Sequence, residues 1–400
     1  MPTQTRNSLW NLRFYYFMLA AGGGFLFPFI NLFYANRGLS GTEIGLLGTV
    51  SSIAALVVAP LWGRHSDAAL NPRRVLQFGM LATSVCMLWL SQQTLFIWMA
   101  ILVTLDALLS AGVAPLTDSI VLAITRGEGS GFGSVRLWGS FGWAVTTLIG
   151  GWLIEQTGLF TMFAGYAMCG LISIVLIGLI HTNGRPADRG EARPVPTSQP
   201  RASARQVVHA MLGDRALVGL AIALSVIWFA GTGFRQFEPL YLVQLGAGET
   251  IIGLASTIGA LVELPGMLWA DRLARRFGAE RLLRASFVLD AVRLSGVFIA
   301  PSVPMILISH AIDGVAYSFY AVSLVEFIGE RAPDQQVTTT MAVFTVTLPS
   351  LIRIIGAPIG GSAFDAFGAH WLYVIAAGGT IIAWLVMRFM VAARYAPRTA

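Results

Sequence analysis

The chain has 400 residues, of which 56% are hydrophobic and only 12% are charged, and its formal net charge is +6. Soluble domains carry about 25% charged residues, so this composition excludes a soluble enzyme and a disordered chain. Every basic residue is an arginine, and the arginines lie between apolar segments instead of along one face, which argues against nucleic-acid binding. Cys86 and Cys169 lie in separate apolar runs, so we predict no disulfide framework, no metal site and no cofactor.

Apolar stretches of about 20 residues, long enough to cross a bilayer as a helix, follow one another along the chain. We find twelve such spans, roughly 14–36, 43–63, 74–92, 95–124, 133–155, 159–181, 216–244, 250–270, 280–300, 303–329, 337–364 and 369–393. Ser40 and Glu43 have the spacing of a capping box that opens the second span. The first span is too long for a signal peptide and lacks a small-residue cleavage pattern, so we interpret it as a retained helix. The sequence therefore predicts an all-α membrane protein with twelve transmembrane helices.

The distribution of arginine predicts the orientation of these spans. If the N-terminus is cytoplasmic, the outer loops hold only Arg37, four arginines lie within spans, and the other 21 lie in cytoplasmic segments. Such a bias is the usual mark of cytoplasmic loops. We therefore predict a multi-pass protein of the bacterial inner membrane with both termini in the cytoplasm.

A polar segment divides the chain into two halves. Residues 182–215 are rich in Pro, Arg, Ala and Ser and predict a flexible cytoplasmic linker between an N-terminal six-helix bundle (1–181) and a C-terminal one (216–400). Ile44-Gly45-Leu46 after the first span is matched by Ile252-Gly253-Leu254 after the seventh. Two pseudo-symmetric bundles are typical of transporters that work by alternating access around a central site.

A short motif after the second span carries a family resemblance. Gly63-Arg64-His65-Ser66-Asp67, followed by two arginines, resembles the signature between helices 2 and 3 of the major facilitator superfamily. The second half holds a degenerate copy, with Met267 where the signature has glycine. The resemblance implies a charge relay that holds one conformation, although topological bias accounts equally well for the arginine clusters. The residues of this conformational motif are Gly63, Asp67, Arg73, Arg74, Asp271 and Arg272.

Ionisable residues within spans are costly, about 2.5–3.5 kcal/mol each on insertion scales, and each needs a reason. They are Asp106, Asp118, Arg136, Arg235, Glu238, Glu263, Asp290, Arg293, Asp313, Glu326 and Arg353, with His310 beside them. Asp290 and Arg293 are three residues apart and can pair along one helix. Arg235 and Glu238 are also three residues apart, and Arg353 on the eleventh span is placed to reach Glu238. We interpret these three residues as structural ion pairs or a gate latch.

His310 and Asp313 share one face of the tenth span because they are three residues apart. Histidine titrates near neutral pH, and a carboxylate can also carry a proton, so this pair suits proton-coupled transport. The alternative is a histidine whose hydrogen bonds are satisfied within a helix bundle.

A closer family resemblance bears on these two interpretations of His310. The segment Gly133–Trp143 resembles the fifth-helix motif of the lactose permease and phenylpropionate-permease-like group, and Asp118 and Trp143 stand at that group's distances from Arg136. Segments around Glu263, Arg293 and His310 resemble its eighth, ninth and tenth helices. The resemblance implies substrate binding by Asp118, Arg136, Trp143 and Glu263. It also implies proton coupling by Glu263, Arg293, His310 and Asp313.

The chain departs from that group at several positions. Positions 118 and 313 hold aspartate where the group has glutamate, and Leu307 stands where a basic residue lies one turn before the histidine. The seventh span offers Arg235 and Glu238 instead of two acids. These differences argue against assuming a galactoside substrate.

We therefore predict a proton-coupled symporter that takes up a small polar or amphipathic solute, such as a saccharide, a nucleoside or an aromatic carboxylate. The expected partners are this solute, protons and the lipid bilayer, and the family's usual state is a monomer. A proton-driven efflux antiporter of the same fold is the alternative, although the fifth span lacks the Gly-Pro motif typical of drug antiporters. The sequence has no metalloprotease motif, phosphate-binding loop or nucleophile elbow, so we predict no enzyme activity.

Overall fold

The computed structural model describes residues 3–68, 72–128, 132–180, 212–333 and 336–391, and the regular structure within these ranges is entirely helical. The first half contains α1 (Thr3–Leu26), α2 (Ile30–Asn36), α3 (Gly41–Ala68), α4 (Pro72–Leu90), α5 (Phe96–Ser110), α6 (Val113–Glu128), α7 (Phe132–Thr157) and α8 (Phe160–Leu179). The second contains α9 (Arg215–Gln244), α10 (Glu249–Phe277), α11 (Ala279–Ile299), α12 (Val303–Arg331), α13 (Val337–Ala342), α14 (Leu348–Phe367) and α15 (Ala369–Met390). The predicted all-α fold is confirmed.

Ten helical segments of the described residues are long and apolar enough to cross a membrane. The predicted third and ninth spans correspond to α4 and α11, which are 19 and 21 residues long but are not among the ten. Two arginines open α4, and α11 carries Arg284, Asp290 and Arg293, and these charged residues lower the hydropathy of both helices. The predicted count of twelve spans and the orientation of the termini therefore stay predictions.

The helix boundaries follow the local chemistry of the sequence. The predicted capping box is confirmed, because Glu43 Oε2 accepts the Ser40 backbone N–H at 2.8 Å and the Ser40 Oγ accepts the Glu43 N–H at 3.2 Å. The predicted fourth span, 95–124, is divided into α5 and α6. The eleventh begins as α13, continues through a π-helical turn at Val343–Thr347 and ends as α14. Pro349 lies in the first turn of α14, where a missing N–H costs little.

Packing divides the chain into two compact units. The first unit comprises Met1–Pro196 and Pro239–Ala260, and the second comprises Thr197–Glu238 and Leu261–Ala400. The start of α10 thus packs with the first unit. The predicted linker at 182–215 lies almost wholly outside the described residues, and the predicted domain boundaries stay predictions.

The first unit is built on α1, which packs along α7 and α8. Its core buries Leu12, Tyr15, Leu76, Val121 and Ile177, among others. Many large apolar side chains of the same helices are exposed on the outside, as expected for a surface that faces lipid.

The second unit is built on α11, which packs against α12 and α15. Leu220, Leu283, Phe327 and Met387 belong to its buried core. Gly233 on α9 and Gly360 on α14 lie so close together that a Cβ on either would meet the other backbone. The glycine-rich segment of the eleventh span therefore serves close helix packing, as small residues commonly do in membranes.

Candidate functional site

The buried guanidinium of Arg293 on α11 is the centre of a charged cluster in the second unit. Arg293 is only 2% exposed. Its Nε donates to Asp290 Oδ1 at 2.6 Å, and its Nη2 lies 2.8 Å from Asp313 Oδ1 on α12. Its Nη1 donates to Ser309 Oγ at 3.3 Å. One cation therefore bridges two carboxylates on neighbouring helices, and the predicted pairing of Arg293 with Asp290 along one helix is confirmed.

A second charged pair connects α12 with α9. His310 Nε2 lies 2.7 Å from Glu238 Oε1, and the Tyr373 hydroxyl of α15 donates to Glu238 Oε2 at 2.8 Å. His310 and Asp313 share a face of α12, as predicted, but each binds a different helix. The alternative interpretation of His310, a histidine satisfied by hydrogen bonds, accordingly involves a carboxylate partner.

The expected ion pairs of Glu238 with Arg235 and Arg353 are not found among the described residues, and this prediction is corrected. Among the described residues, no salt bridge includes either arginine, and the two carboxylate oxygens of Glu238 are bound to His310 and Tyr373. Arg235 instead lies beside aromatic rings, with its Cζ 5.2 Å from the Phe234 ring centroid and 5.9 Å from that of Trp228. Three-residue spacing allowed the Arg235–Glu238 pair, but the competing partners of Glu238 decide against it.

Arg235 lines an open cavity inside the second unit. The cavity encloses about 550 Å³, including the part open to solvent. Its lining comes from one face each of α9, α11 and α12, namely Ile227, Trp228, Arg235, Ser286, Phe287, Asp290, Asp313, Ala316, Tyr317 and Tyr320. The two carboxylates bound by Arg293 therefore also face this cavity.

Glu263 on α10 is half-buried and close enough to Asp313 to feel its charge. Its backbone carbonyl accepts a hydrogen bond from Ser318 Oγ of α12 at 3.1 Å. All four residues predicted for proton coupling, Glu263, Arg293, His310 and Asp313, thus lie in the second unit on three neighbouring helices. Their coupling role stays a prediction.

In the first unit, the intramembrane residue Asp118 has a hydroxyl group as its hydrogen-bond partner. Asp118 on α6 accepts a hydrogen bond from the Tyr16 hydroxyl of α1, and Tyr16 also lies within electrostatic reach of Arg136 on α7. The neighbouring Tyr15 hydroxyl bonds the Thr117 hydroxyl at 2.8 Å. Arg136 itself is exposed. Tyr16, which the sequence analysis did not single out, is therefore close to both Asp118 and Arg136.

Trp143 lies two turns after Arg136 on the same face of α7. Its ring stacks on Phe27 with centroids 6.2 Å apart and planes inclined by 21°. A half-buried indole with one face against another ring leaves an aromatic platform in the first unit. The predicted role of Asp118, Arg136 and Trp143 in substrate binding stays a prediction.

The start of α10 is held to α7 by hydroxyl and carboxylate contacts within the first unit. The Thr147 and Thr257 hydroxyls lie 2.8 Å apart, and Glu155 Oε2 accepts the Thr250 backbone N–H at 2.9 Å. Gly253 allows this close approach, because a Cβ there would meet the backbone at Thr147. A pair of hydroxyls and a carboxylate at the N-terminus of α10 hold this contact.

The residues of the predicted conformational motif are described only in part. Gly63 and Asp67 belong to α3, but their side chains lie outside the described residues. Arg73 Nη1 donates to the Ile180 carbonyl at the end of α8, at 2.6 Å. Asp271 pairs with Arg275 at 2.6 Å, one turn along an exposed face of α10. The relay predicted for these residues is not tested by these contacts.

Comparison with known proteins places this architecture in a class, the membrane transporters of the major facilitator superfamily. Residues 9–375 match the model of the MFS_1 like family, and the chain belongs to that family. It is 25% identical over 375 residues to the maltose permease of Geobacillus stearothermophilus, covering 93% of this chain and 92% of the relative. It is 26% identical over 383 residues to the putative nucleoside transporter YegT of Escherichia coli (strain K12), covering 90% and 88%.

A solved structure has the same fold. The crystal structure of the nucleoside transporter NupG superposes with a TM-score of 0.76 at 15% identity, covering 97% of this chain and 100% of the other. The predicted resemblance to the superfamily is confirmed, and the protein is a multi-pass membrane transporter with bacterial relatives.

Proposed function

We propose that this transporter of the bacterial inner membrane couples the uptake of a small polar or amphipathic solute to the entry of protons. The proposal also includes twelve membrane spans and a cytoplasmic location of both termini. The observation that supports it most is the bridging of Asp290 and Asp313 by Arg293, because this contact links the charge state of one carboxyl to the packing of two helices.

The coupling follows from the geometry of the bridge. When Asp313 is ionised, Arg293 holds α12 to α11 through the 2.8 Å contact. A proton on Asp313 removes its negative charge and weakens this contact, while Asp290 keeps Arg293 neutralised on its own helix. Protonation thus changes one inter-helix contact without leaving the guanidinium unpaired. Such a two-state contact is what a coupled carrier needs to favour one conformation over the other.

The pair of His310 and Glu238 links a protonation state to the packing of α9 in the same way. The imidazole binds a carboxylate that Tyr373 also holds, so a change in the protonation of this pair acts on the contacts between α9, α12 and α15. Glu263 is near enough to Asp313 to respond to its charge from α10. Asp118, Arg136 and Trp143 supply hydrogen-bonding groups and an aromatic platform for the solute in the first unit.

The test uses purified protein in proteoliposomes, with a panel of saccharides, nucleosides and aromatic carboxylates and an imposed proton gradient. The transported solute should accumulate in response to the gradient, with proton entry. Asp313→Asn should lose accumulation against a gradient but keep solute exchange, because exchange needs no net protonation. Glu326→Gln, which removes a carboxylate from the same helix outside the cluster, should keep both.

Two results would contradict the proposal. Uphill accumulation by Asp313→Asn would show that this carboxyl does not carry the coupled proton. Proton-driven movement of solute in the opposite sense would favour the efflux antiporter.

A further inference from the structure

The cavity of the second unit combines three kinds of wall. Arg235 supplies a cation, the carboxylates Asp290 and Asp313 face it from the other helices, and Trp228, Tyr317 and Tyr320 supply aromatic surface. Residues 228 and 235 are two helical turns apart on α9, and 313, 317 and 320 lie on one face of α12, so regular helix geometry creates this lining. The lining is therefore a continuous surface made from three helices.

The charge of Arg235 is not matched by the protein around it. Among the residues that the structure describes, no carboxylate lies within salt-bridge distance of this guanidinium, whose Cζ lies 5.2 Å from the centroid of the Phe234 ring and 5.9 Å from that of the Trp228 ring. The same Phe234 ring lies 5.4 Å from the Cζ of Arg293, so one ring lies close to both a paired and an unpaired guanidinium. An unpaired arginine within a membrane span is costly, and it is retained where it meets an anion or water.

The two carboxylates of the cavity are already engaged. Asp290 and Asp313 each use an oxygen to bind Arg293, so a good part of their capacity to accept hydrogen bonds from a polyhydroxylated ring is taken. Trp228 and Tyr320 lie close together, and the Tyr317 and Tyr320 rings lie with centroids 6.2 Å apart. These fixed ring faces suit a flat apolar group better than a flexible chain.

We propose that this cavity binds the transported solute, and that the solute is a small monocarboxylate with a flat apolar ring, its carboxylate on Arg235 and its ring against Trp228 and Tyr320. The inference rests on the proposed function and names the substrate class within it. Arginine is suited to this task because its planar guanidinium matches a carboxylate in a bidentate geometry.

The same charges explain how an anion and a proton travel together. The groups that face Asp313 are Arg293 and Asp290 on α11, Arg235 on α9 and Glu263 on α10, with His310 on its own helix. A solute anion on Arg235 is repelled by the ionised Asp313 across the cavity, and a proton on Asp313 removes that repulsion. The anion and the proton therefore favour each other's binding, and this linkage is reciprocal.

Binding to purified protein tests the substrate class without any gradient. Calorimetry compares phenylacetate with phenylacetamide, which has the same shape without the charge, and with maltose and uridine as uncharged solutes. We expect phenylacetate to bind about tenfold or more tightly than phenylacetamide, as a charge-assisted hydrogen bond allows. Arg235→Gln should abolish this preference, Arg235→Lys should keep part of it, and proton uptake should accompany phenylacetate binding.

Arg353→Gln is the matched control, since it removes another span arginine that lacks an ion pair among the described residues and does not line the cavity. Its preference for phenylacetate should be unchanged, and thermal unfolding of every variant checks the fold. Loss of the preference in Arg353→Gln instead of Arg235→Gln would overturn the proposal. So would tighter binding of maltose or uridine than of phenylacetate.

The two proposals fail separately. A solute other than a carboxylate that still accumulates with protons, and loses accumulation in Asp313→Asn, would refute the substrate class and leave the coupling intact. Phenylacetate binding that depends on Arg235 without any proton-driven transport would refute the coupling and leave the binding site.

Discussion

The two units of this transporter satisfy their intramembrane acids in opposite ways. In the first unit, Asp118 meets the hydroxyl of Tyr16, and no cation is paired with it among the described residues. In the second unit, Asp290, Asp313 and Glu238 meet Arg293 or His310. A hydroxyl group can still form a hydrogen bond with a carboxyl group that has taken up a proton, whereas an ion pair is weakened once its carboxyl is neutralised. This difference leads us to assign proton coupling to the acids of the second unit, beside the solute cavity proposed there, and only fixed hydrogen bonding of the solute to Asp118 of the first unit.

The largest effect is expected from Arg293→Gln, which removes the cation shared by two carboxylates. Breaking a buried ion pair from one side typically costs about 3–5 kcal/mol, because the remaining charge is left without a partner. We expect a marked fall in thermal unfolding temperature and loss of transport. Adding Asp313→Asn should restore part of the stability, since only Asp290 then remains to be compensated.

The rescue distinguishes a charge effect from a packing effect. If the double variant is less stable than Arg293→Gln alone, the guanidinium stabilises the unit through its contacts with Phe234 and Ser309 and not through its charge.

Next in size is Glu238→Gln, which keeps the shape of the side chain and removes the charge that faces His310. Hydrogen bonds to charged groups contribute about 1.5–3 kcal/mol, so stability should fall by an amount in this range. The pH dependence of transport should also change, because His310 loses its carboxylate partner. Tyr373→Phe removes the other bond to Glu238 and serves as the control, with a smaller loss of stability and an unchanged pH profile.

Tyr16→Phe tests the first unit with a single hydroxyl. It removes the donor to Asp118 and leaves every cation in place. We expect weaker solute binding, by roughly tenfold, since the carboxylate loses its positioning. Accumulation per coupled proton should be unchanged. An altered proton-to-solute ratio in this variant would contradict the division of labour between the units.

Much of the fold was predictable from the sequence because span length and turn residues are local signals. The capping box at Ser40 and Glu43, the helical class and the family resemblance all depend on such signals, and the structure or the comparisons confirm them. The pairing of Arg293 with Asp290 was predictable for the same reason, since three-residue spacing on one helix fixes the contact.

Contacts between helices were harder to predict. The sequence allowed Glu238 to bind Arg235 or Arg353, and only tertiary packing showed that His310 and Tyr373 take its two oxygens. Trp228, Tyr317 and Tyr320 were missed because aromatic residues in an apolar span are indistinguishable from lipid-facing or core residues until the helices are placed. The charge on Arg235 within a span was the available signal, but its three-residue spacing from Glu238 favours an ion pair instead of a cavity.

The smallest effect is expected from Asp106→Asn, and this variant tests the comparison between the two units most directly. One carboxyl oxygen of Asp106 on α5 is buried with no hydrogen-bond partner among the described residues, and the titratable neighbours that influence or feel it are Tyr34, Tyr166 and Cys86. Since no cation among the described residues is paired with this acid, replacing it with an amide of the same shape should change stability by less than about 1 kcal/mol and leave the proton-to-solute ratio unchanged. The measurement is proton entry per solute in proteoliposomes, beside Asp313→Asn. A ratio lowered by Asp106→Asn would place a second proton carrier in the first unit, and the contrast between hydroxyl-bound and cation-bound acids would then no longer separate fixed hydrogen bonding from proton coupling.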